Sequence, residues 1–317
     1  MILDPSKGFK PIEYPWALEF WKLQQQLHWT ADEIPMDEDV KDWNNKLSKG
    51  QKENLSSLFL FFTQSDVDVA NGYHDLFIPQ FKNVHVRMMM SVFAHMETIH
   101  IDAYSLLMTT VGMSDGDFTK FNDYKAMADK HDYISNVFIN NIEDLLLALA
   151  IYAGFTEGLQ LFGSFAMLLN YTRHNLMKGM GQIVKYSIRD ESLHVLGMIT
   201  TFLTLCKETT GLTKKLISDI QDKAEHMVTL EDNFIELGFI GGEDLGLTAE
   251  QTKQYIRYTC NHRLSQMGIK PIYNIKKHPL PWLPEMINST EHTNFFENKP
   301  TNYTKNGTTG NWNDLWS

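Results

Sequence analysis

The chain has 317 residues and carries 28 Lys and Arg against 39 Asp and Glu, a net charge of −11. An acidic chain with no basic stripe excludes a protein that binds nucleic acid by neutralising phosphates. Its two cysteines, Cys206 and Cys260, lie 54 residues apart, which excludes a disulfide framework and a cysteine-built zinc or iron–sulfur site. Free thiols suit a reducing compartment, so a cytoplasmic protein is expected.

Residues 1–16 hold Pro5, Gly8, Pro11 and Pro15 and read as an irregular lead-in without the basic and apolar regions of a secretory signal. Helical periodicity, with apolar residues at i, i+3, i+4 and i+7, then runs through roughly 17–28, 49–74, 84–111, 143–171, 180–209, 213–237 and 248–267. Ser48 and Thr248 are good N-caps, and Gly211 and Gly238 stand where helices should stop. The segment 270–284, with Pro271, Pro279, Pro281 and Pro284, predicts an ordered loop, and from about Asn288 the composition predicts a flexible tail with an apolar tip. No run alternates as a strand does, so the class is all-α, with a helical domain over 1–287 and a tail over 288–317.

Residues 145–169 carry a single charge, Glu157, and are long enough to span a bilayer. A lone central carboxylate is costly in lipid, and a helix apolar all round is equally expected at the centre of a large bundle. The core reading is preferred, and no membrane partner is expected. It requires something to neutralise Glu157.

Two Glu-x-x-His motifs supply it, Glu97–His100 and Glu191–His194. Residues at i and i+3 share a helix face, so each pair converges on one point. The face of Asp66 is otherwise apolar (Phe59, Phe62, Val69, Ala70, Tyr73), whereas neighbouring Asp68 shares its face with Gln64, Ser65, Asn71 and Asp75 and reads as solvated. Glu157 lies with Ala150, Ala153, Gly154, Leu161 and Ser164. Four helices thus offer Asp66, Glu97 with His100, Glu157, and Glu191 with His194, the inward ligand set of a four-helix di-metal site. Carboxylates and imidazoles without thiolate suit iron or manganese, and four carboxylates balance two divalent cations. Tyr104, four residues after His100 on the same face, is a candidate for oxidation to a radical or a core tyrosine with a bonded hydroxyl.

The stretches FAHMETIHIDAY (93–104) and SIRDESLH (187–194), with 31 residues from Asp66 to Glu97 and 34 from Glu157 to Glu191, resemble the small, radical-generating subunit of class I ribonucleotide reductase. The likeness extends over about residues 16–317. It implies a ferritin-like bundle in which Asp66, Glu97, His100, Glu157, Glu191 and His194 hold two metal ions, iron or manganese. It makes Tyr104 the radical-bearing tyrosine, and Asp190 the carboxylate behind His100. Trp29, in LHWTADEIP, is implied as the next member of a long-range electron and proton path. Tyr303 is implied as the tail tyrosine that hands the radical to a separate large subunit, with Trp312, Leu315 and Trp316 docking there. A homodimer is expected, and a flavodoxin-like activator is an open partner. Two cysteines are too few for the thiol chemistry of ribonucleotide reduction, which places that chemistry on the other chain. Ser187, one turn before Glu191, and Leu161 and Phe165, after Glu157, leave the subtype open between diiron with a tyrosyl radical and dimanganese. The alternatives on the same fold are a stand-alone di-metal oxidase or desaturase, which would not need Trp29, Asp190 and Tyr303, and a ferritin-like metal store.

Overall fold

The computed structural model describes residues 1–287 apart from 210 and 241–243. Its helices are α1 (Pro15–Gln26), α2 (Asp37–Asn45), α3 (Lys49–Asn71), α4 (Val84–Thr110), α5 (Lys125–Ser135), α6 (Ile142–Leu149), α7 (Phe162–Arg173), α8 (Lys178–Glu208), α9 (Lys214–Gly238) and α10 (Ala249–Gln266). Two π-helical segments interrupt the α pattern: Gly72–Phe77 extends α3, and Ala150–Gln160 joins α6 to α7. The only strand-like pairing among the described residues is a single bridge between Asp244 and Leu247. Residues 1–281 form one compact unit, and the described residues beyond it, 282–287, are helical, so the loop expected to run to 284 ends earlier.

All seven expected helices are present, with ends shifted by a few residues. Two more, α2 and α5, were not expected; both are short and mostly polar, and each has only a narrow apolar face, Met36, Val40, Trp43 and Leu47 about α2 and Met127, Tyr133 and Ile134 in α5. Ser48 and Thr248 each close a capping box, with Gln51 and Gln251 returning the bond. Gly211 follows α8 with φ of +70°, a left-handed stop, whereas Gly238 is simply the last residue of α9.

Four helical rods form the centre: α3, α4, the continuous α6–π–α7 rod, and α8. The α4–α8 contact is close because Gly197 has no side chain; a Cβ there would stand 2.7 Å from the Phe93 ring. That approach brings Glu97 of α4 and Glu191 of α8 within reach of common points. The start of α8 is held by α2, where Asp39 accepts the amides of Gly179 and Met180, each at 2.8 Å, and Asp42 accepts that of Met177 at 2.9 Å. Carboxylates at a helix N-terminus satisfy its free amides and oppose its positive end. α1 packs outside α4 and α8, and α9 and α10 pack against the central π segment.

The apolar rod Ile142–Arg173 passes a length-and-composition test for a membrane span, yet 94% of its most apolar window is buried within the protein, which makes it a core helix.

Candidate metal centre

The six sequence-derived ligands come together in the middle of the four rods, each at most 1% exposed. They form two overlapping groups, Asp66, Glu97, His100 and Glu191, and Glu97, Glu157, Glu191 and His194, with the offered atoms of each group within 4.8 Å of one another. Glu97 and Glu191 belong to both, as expected of carboxylates that bridge two cations.

His100 Nδ1 lies 3.4 Å from Glu97 and 3.3 Å from Glu191, and His194 Nδ1 lies 2.8 Å from Glu97 and 3.4 Å from Glu157. On Glu157, Oε1 accepts a hydrogen bond from Tyr73 at 2.7 Å. Tyr73 sits in the first π segment and Glu157 in the second, so the two irregular stretches meet at this carboxylate.

Charge balance shows what the cluster is built to hold. Burial, then mutual repulsion, raises Glu191 to about 8, and burial also raises Asp66 and Glu157. Burial favours neutral imidazoles, but the carboxylates outweigh it and raise both histidines, His194 to about 10. Without cations the cluster therefore keeps protons that a free set of such groups would have lost near neutrality. Asp66 Oδ2, both oxygens of Glu97 and Glu191, Glu157 Oε2 and the Nδ1 atoms of both histidines are buried without a hydrogen-bond partner. Orphaned buried acceptors are costly, and here they converge on two points. The residues fit a pair of divalent cations.

Asp190 stands behind His100. Its Oδ2 accepts from Trp29 Nε1 at 2.8 Å and lies 3.3 Å from His100 Nε2, while its Oδ1 accepts from Gln24 at 3.1 Å and from Arg189 at 3.2 Å. An ionised carboxylate only accepts, so Asp190 holds a His100 proton on Nε2, and the Nδ1 side that faces the cluster is the one that would give up its proton to a cation. Burial works against ionisation of Asp190, but the His100 bond and the Arg189 charge outweigh it and hold the carboxyl below its usual range. Trp29 is 2% exposed, so this chain from cluster to indole is buried throughout.

Tyr104 is fully buried, stacked on Phe62 with ring centres 4.7 Å apart; Phe62 in turn stacks on Phe165 at 4.8 Å. Its hydroxyl reaches Ser187 Oγ at 3.5 Å, the outer limit of a hydrogen bond. Burial foremost, then the charge of Asp66, pushes its ionisation well above the ordinary phenol range.

Asp68, expected to be solvated, is only 9% exposed; Gln64 and His131 bond its carboxylate at 3.1 and 2.7 Å. The expectation failed because α5, which carries His131, was not foreseen. Tyr73, Gln24 and Arg189 were also missed as contributors. Tyr73 was read as apolar lining, and only the central position of Glu157 hinted at a donor for it. Tyr303, Trp312, Leu315 and Trp316 lie outside the described residues.

The family model "Ribonucleotide reductase, small chain" matches residues 6–279. Among relatives, a probable ribonucleoside-diphosphate reductase small subunit of Invertebrate iridescent virus 3 is 43% identical, over 98% of this chain and 88% of its own length. A corresponding subunit of Invertebrate iridescent virus 6 is 40% identical, over 100% of this chain and 99% of its own. The fold is similar to the ribonucleotide reductase R2 subunit from Clostridium botulinum, with a TM-score of 0.83 at 23% identity, covering 89% of this chain and 91% of that one. It is also similar to the dimanganese(II) NrdF protein of Streptococcus sanguinis, with a TM-score of 0.78 at 21% identity, covering 90% and 99%. A match over most of the chain, at this identity, joins a buried cluster whose donors and charge suit two cations: the chain belongs to the small-subunit family of class I ribonucleotide reductase, whose di-metal site generates the radical.

Proposed function

We propose that the oxidising equivalent is held at Tyr104 beside an iron or manganese pair and leaves through His100, Asp190 and Trp29 toward the large subunit. The observation that carries this reading is the unbroken buried contact from the shared ligands through His100 and Asp190 to the Trp29 indole. When bound and first oxidised by an external oxidant such as dioxygen or superoxide, the two ions would supply the one-electron oxidising equivalent. Asp66 and His100 would hold one ion, Glu157 and His194 the other, with Glu97 and Glu191 available to both. Tyr104 keeps its proton until it is oxidised, because burial and Asp66 disfavour its anion. Phe62 and Phe165 keep water and reductants from the ring, as a long-lived phenoxyl radical requires. Trp29, bonded to the same oxygen that faces His100, extends the buried path one residue beyond Asp190 without an aqueous gap.

Under the same reading, residues 288–317 form the tail that docks on the large subunit, with Tyr303 as relay and Trp312, Leu315 and Trp316 as anchors. The chain acts as a homodimer in the cytoplasm. A flavodoxin-like activator is a candidate further partner.

The test is ribonucleotide reduction by the metal-loaded protein with its large subunit, comparing wild type with Tyr104→Phe, Trp29→Phe and Tyr303→Phe, each checked for unchanged metal content. Loss of turnover in all three supports the route. Full activity in Tyr104→Phe moves the oxidising equivalent onto the metals, and full activity in Trp29→Phe removes the indole from the path.

A further inference from the structure

The central rod departs from α geometry where it carries Glu157. Residues Ala150–Gln160 bond i to i+5, and long π stretches are rare because they pack and bond less well than an α-helix. Something outside the rod must favour that register. Two buried cations reach its carbonyl oxygens at the C-terminal end. Arg263 of α10 donates from Nε to Gly158 O at 2.8 Å, and Lys130 of α5 donates to Gln160 O at 3.3 Å. A regular α-helix commits its interior carbonyls to its own amides, so side-chain donors at two positions within three residues mark a segment held from outside.

The two cations differ in their electrostatics. Lys130 is neutralised by Glu231 at 2.5 Å, and its place is explained as half of an ion pair. Arg263 is only 7% exposed, and among the described residues no carboxylate lies within ion-pair distance of it. Its remaining contacts are Gln266 Oε1, accepting from Nη1 at 3.0 Å, and the face of Phe162, 4.9 Å from Cζ. A buried guanidinium without a counter-charge is costly unless its hydrogen bonds do a job that a neutral side chain could not.

The packing is matched to it. Gly154 and Gly158 are four residues apart on the rod, and facing them are Arg263, in the last turn of α10, and Met267, which caps that helix four residues on. A Cβ at Gly154 would stand 2.9 Å from Met267 Cε, and one at Gly158 would stand 2.9 Å from Arg263 Nε and 2.5 Å from the carbonyl of Ala153. The glycines open the rod so that these two side chains lie directly on its backbone. One of those contacts is at the residue that follows Glu157.

We infer that Arg263 is a positioning residue for the metal centre: by binding the Gly158 carbonyl it holds the π register that aims Glu157 at His194. It touches neither metal nor substrate. Its effect is confined to the half of the centre that Glu157 serves, while the half served by Asp66 and His100 does not depend on it.

The inference rests on the di-metal reading, and stepwise cobalt(II) titration of the metal-free full-length protein, followed by its visible absorption, tests both separately. Arg263→Gln removes an uncompensated buried charge but leaves a polar side chain, so folding is retained; Arg263→Lys keeps a cationic donor. The expected result is that Gln weakens one of the two sites about 10- to 100-fold, the usual scale for losing a group that orients a ligand, and leaves the other within about threefold. Lys restores most of the loss. In a Glu157→Ala background Arg263→Gln should have no further effect, because its influence passes through that carboxylate. Equal weakening of both sites, no weakening of either, or an undiminished effect in the Glu157→Ala background would overturn the role of Arg263. Uptake of fewer than two ions by the wild type would instead overturn the di-metal reading itself.

Discussion

Asp190→Asn is a nearly isosteric change, yet it should behave as a severe one. Every partner of Asp190 is a donor: Trp29 and His100 on one oxygen, Gln24 and Arg189 on the other. An asparagine has one accepting oxygen, so whichever way the amide is turned its NH2 faces at least two N–H groups, those of Trp29 and His100 or those of Gln24 and Arg189. Two hydrogen bonds to a charged acceptor are lost, each worth about 1.5–3 kcal/mol, with no water able to replace them at a position 0% exposed. The metal-free protein should lose about 3–6 kcal/mol, a fall in midpoint on the order of 10 °C. If the amide turns its NH2 to Trp29 and His100, the imidazole also loses the acceptor that fixes its proton on Nε2. Binding at the His100 position should then weaken about 10- to 100-fold while the His194 position is spared. Thermal unfolding of the metal-free variant and stepwise cobalt(II) titration measure the two effects. A variant that unfolds within about 1 kcal/mol of wild type and binds both ions normally would refute the claim that this carboxylate orients His100.

Three further outcomes are expected. Lys130→Met or Glu231→Leu alone leaves an unpaired buried charge and should cost about 3–5 kcal/mol in urea unfolding, whereas the double variant should recover most of it; additive losses would contradict the ion-pair reading. Burial foremost, then the charge of Arg263, holds His262 down to about 4, so the unfolded chain binds the extra proton between about pH 6.5 and 4 and stability falls as pH drops through that window. The contribution is about 2 kcal/mol after allowing for partial exposure, and the acid loss of His262→Gln should be smaller by that amount. Burial raises the thiols of Cys206 and Cys260 to about 11 and 12, so native protein should react with a thiol reagent far more slowly than unfolded protein, and rapid native labelling would contradict their placement.

How much of this was legible in the sequence depends on whether a feature is local to one helix. Glu97 with His100 and Glu191 with His194 were readable because both members of each pair lie on one α-helical face. Asp66 and Glu157 were readable as carboxylates stranded among apolar neighbours. What depends on a second element was not. Asp68 was misjudged because His131 reaches it from α5, and Asp190's role came from a family likeness, since Gln24, Trp29 and Arg189 converge on it from three places in the chain. The π segments were invisible because the periodicity test assumes α spacing. The face drawn for Glu157 with that spacing, running from Ala150 to Ser164, crosses a stretch bonded i to i+5, and it showed neither Tyr73 nor Arg263. The short helices α2 and α5 were missed because their apolar faces are narrow and set in mostly polar sequence, although α2 caps the helix that bears Asp190, Glu191 and His194.

The central claim is that six buried residues hold two metal ions that oxidise Tyr104. Metal analysis with low-temperature electron paramagnetic resonance tests it most directly, on samples loaded with iron and with manganese and then oxidised. The account predicts two ions per chain and a tyrosyl signal that disappears in Tyr104→Phe while metal content stays unchanged. Fewer than two ions with either metal, or the same organic radical signal persisting in Tyr104→Phe, would contradict it.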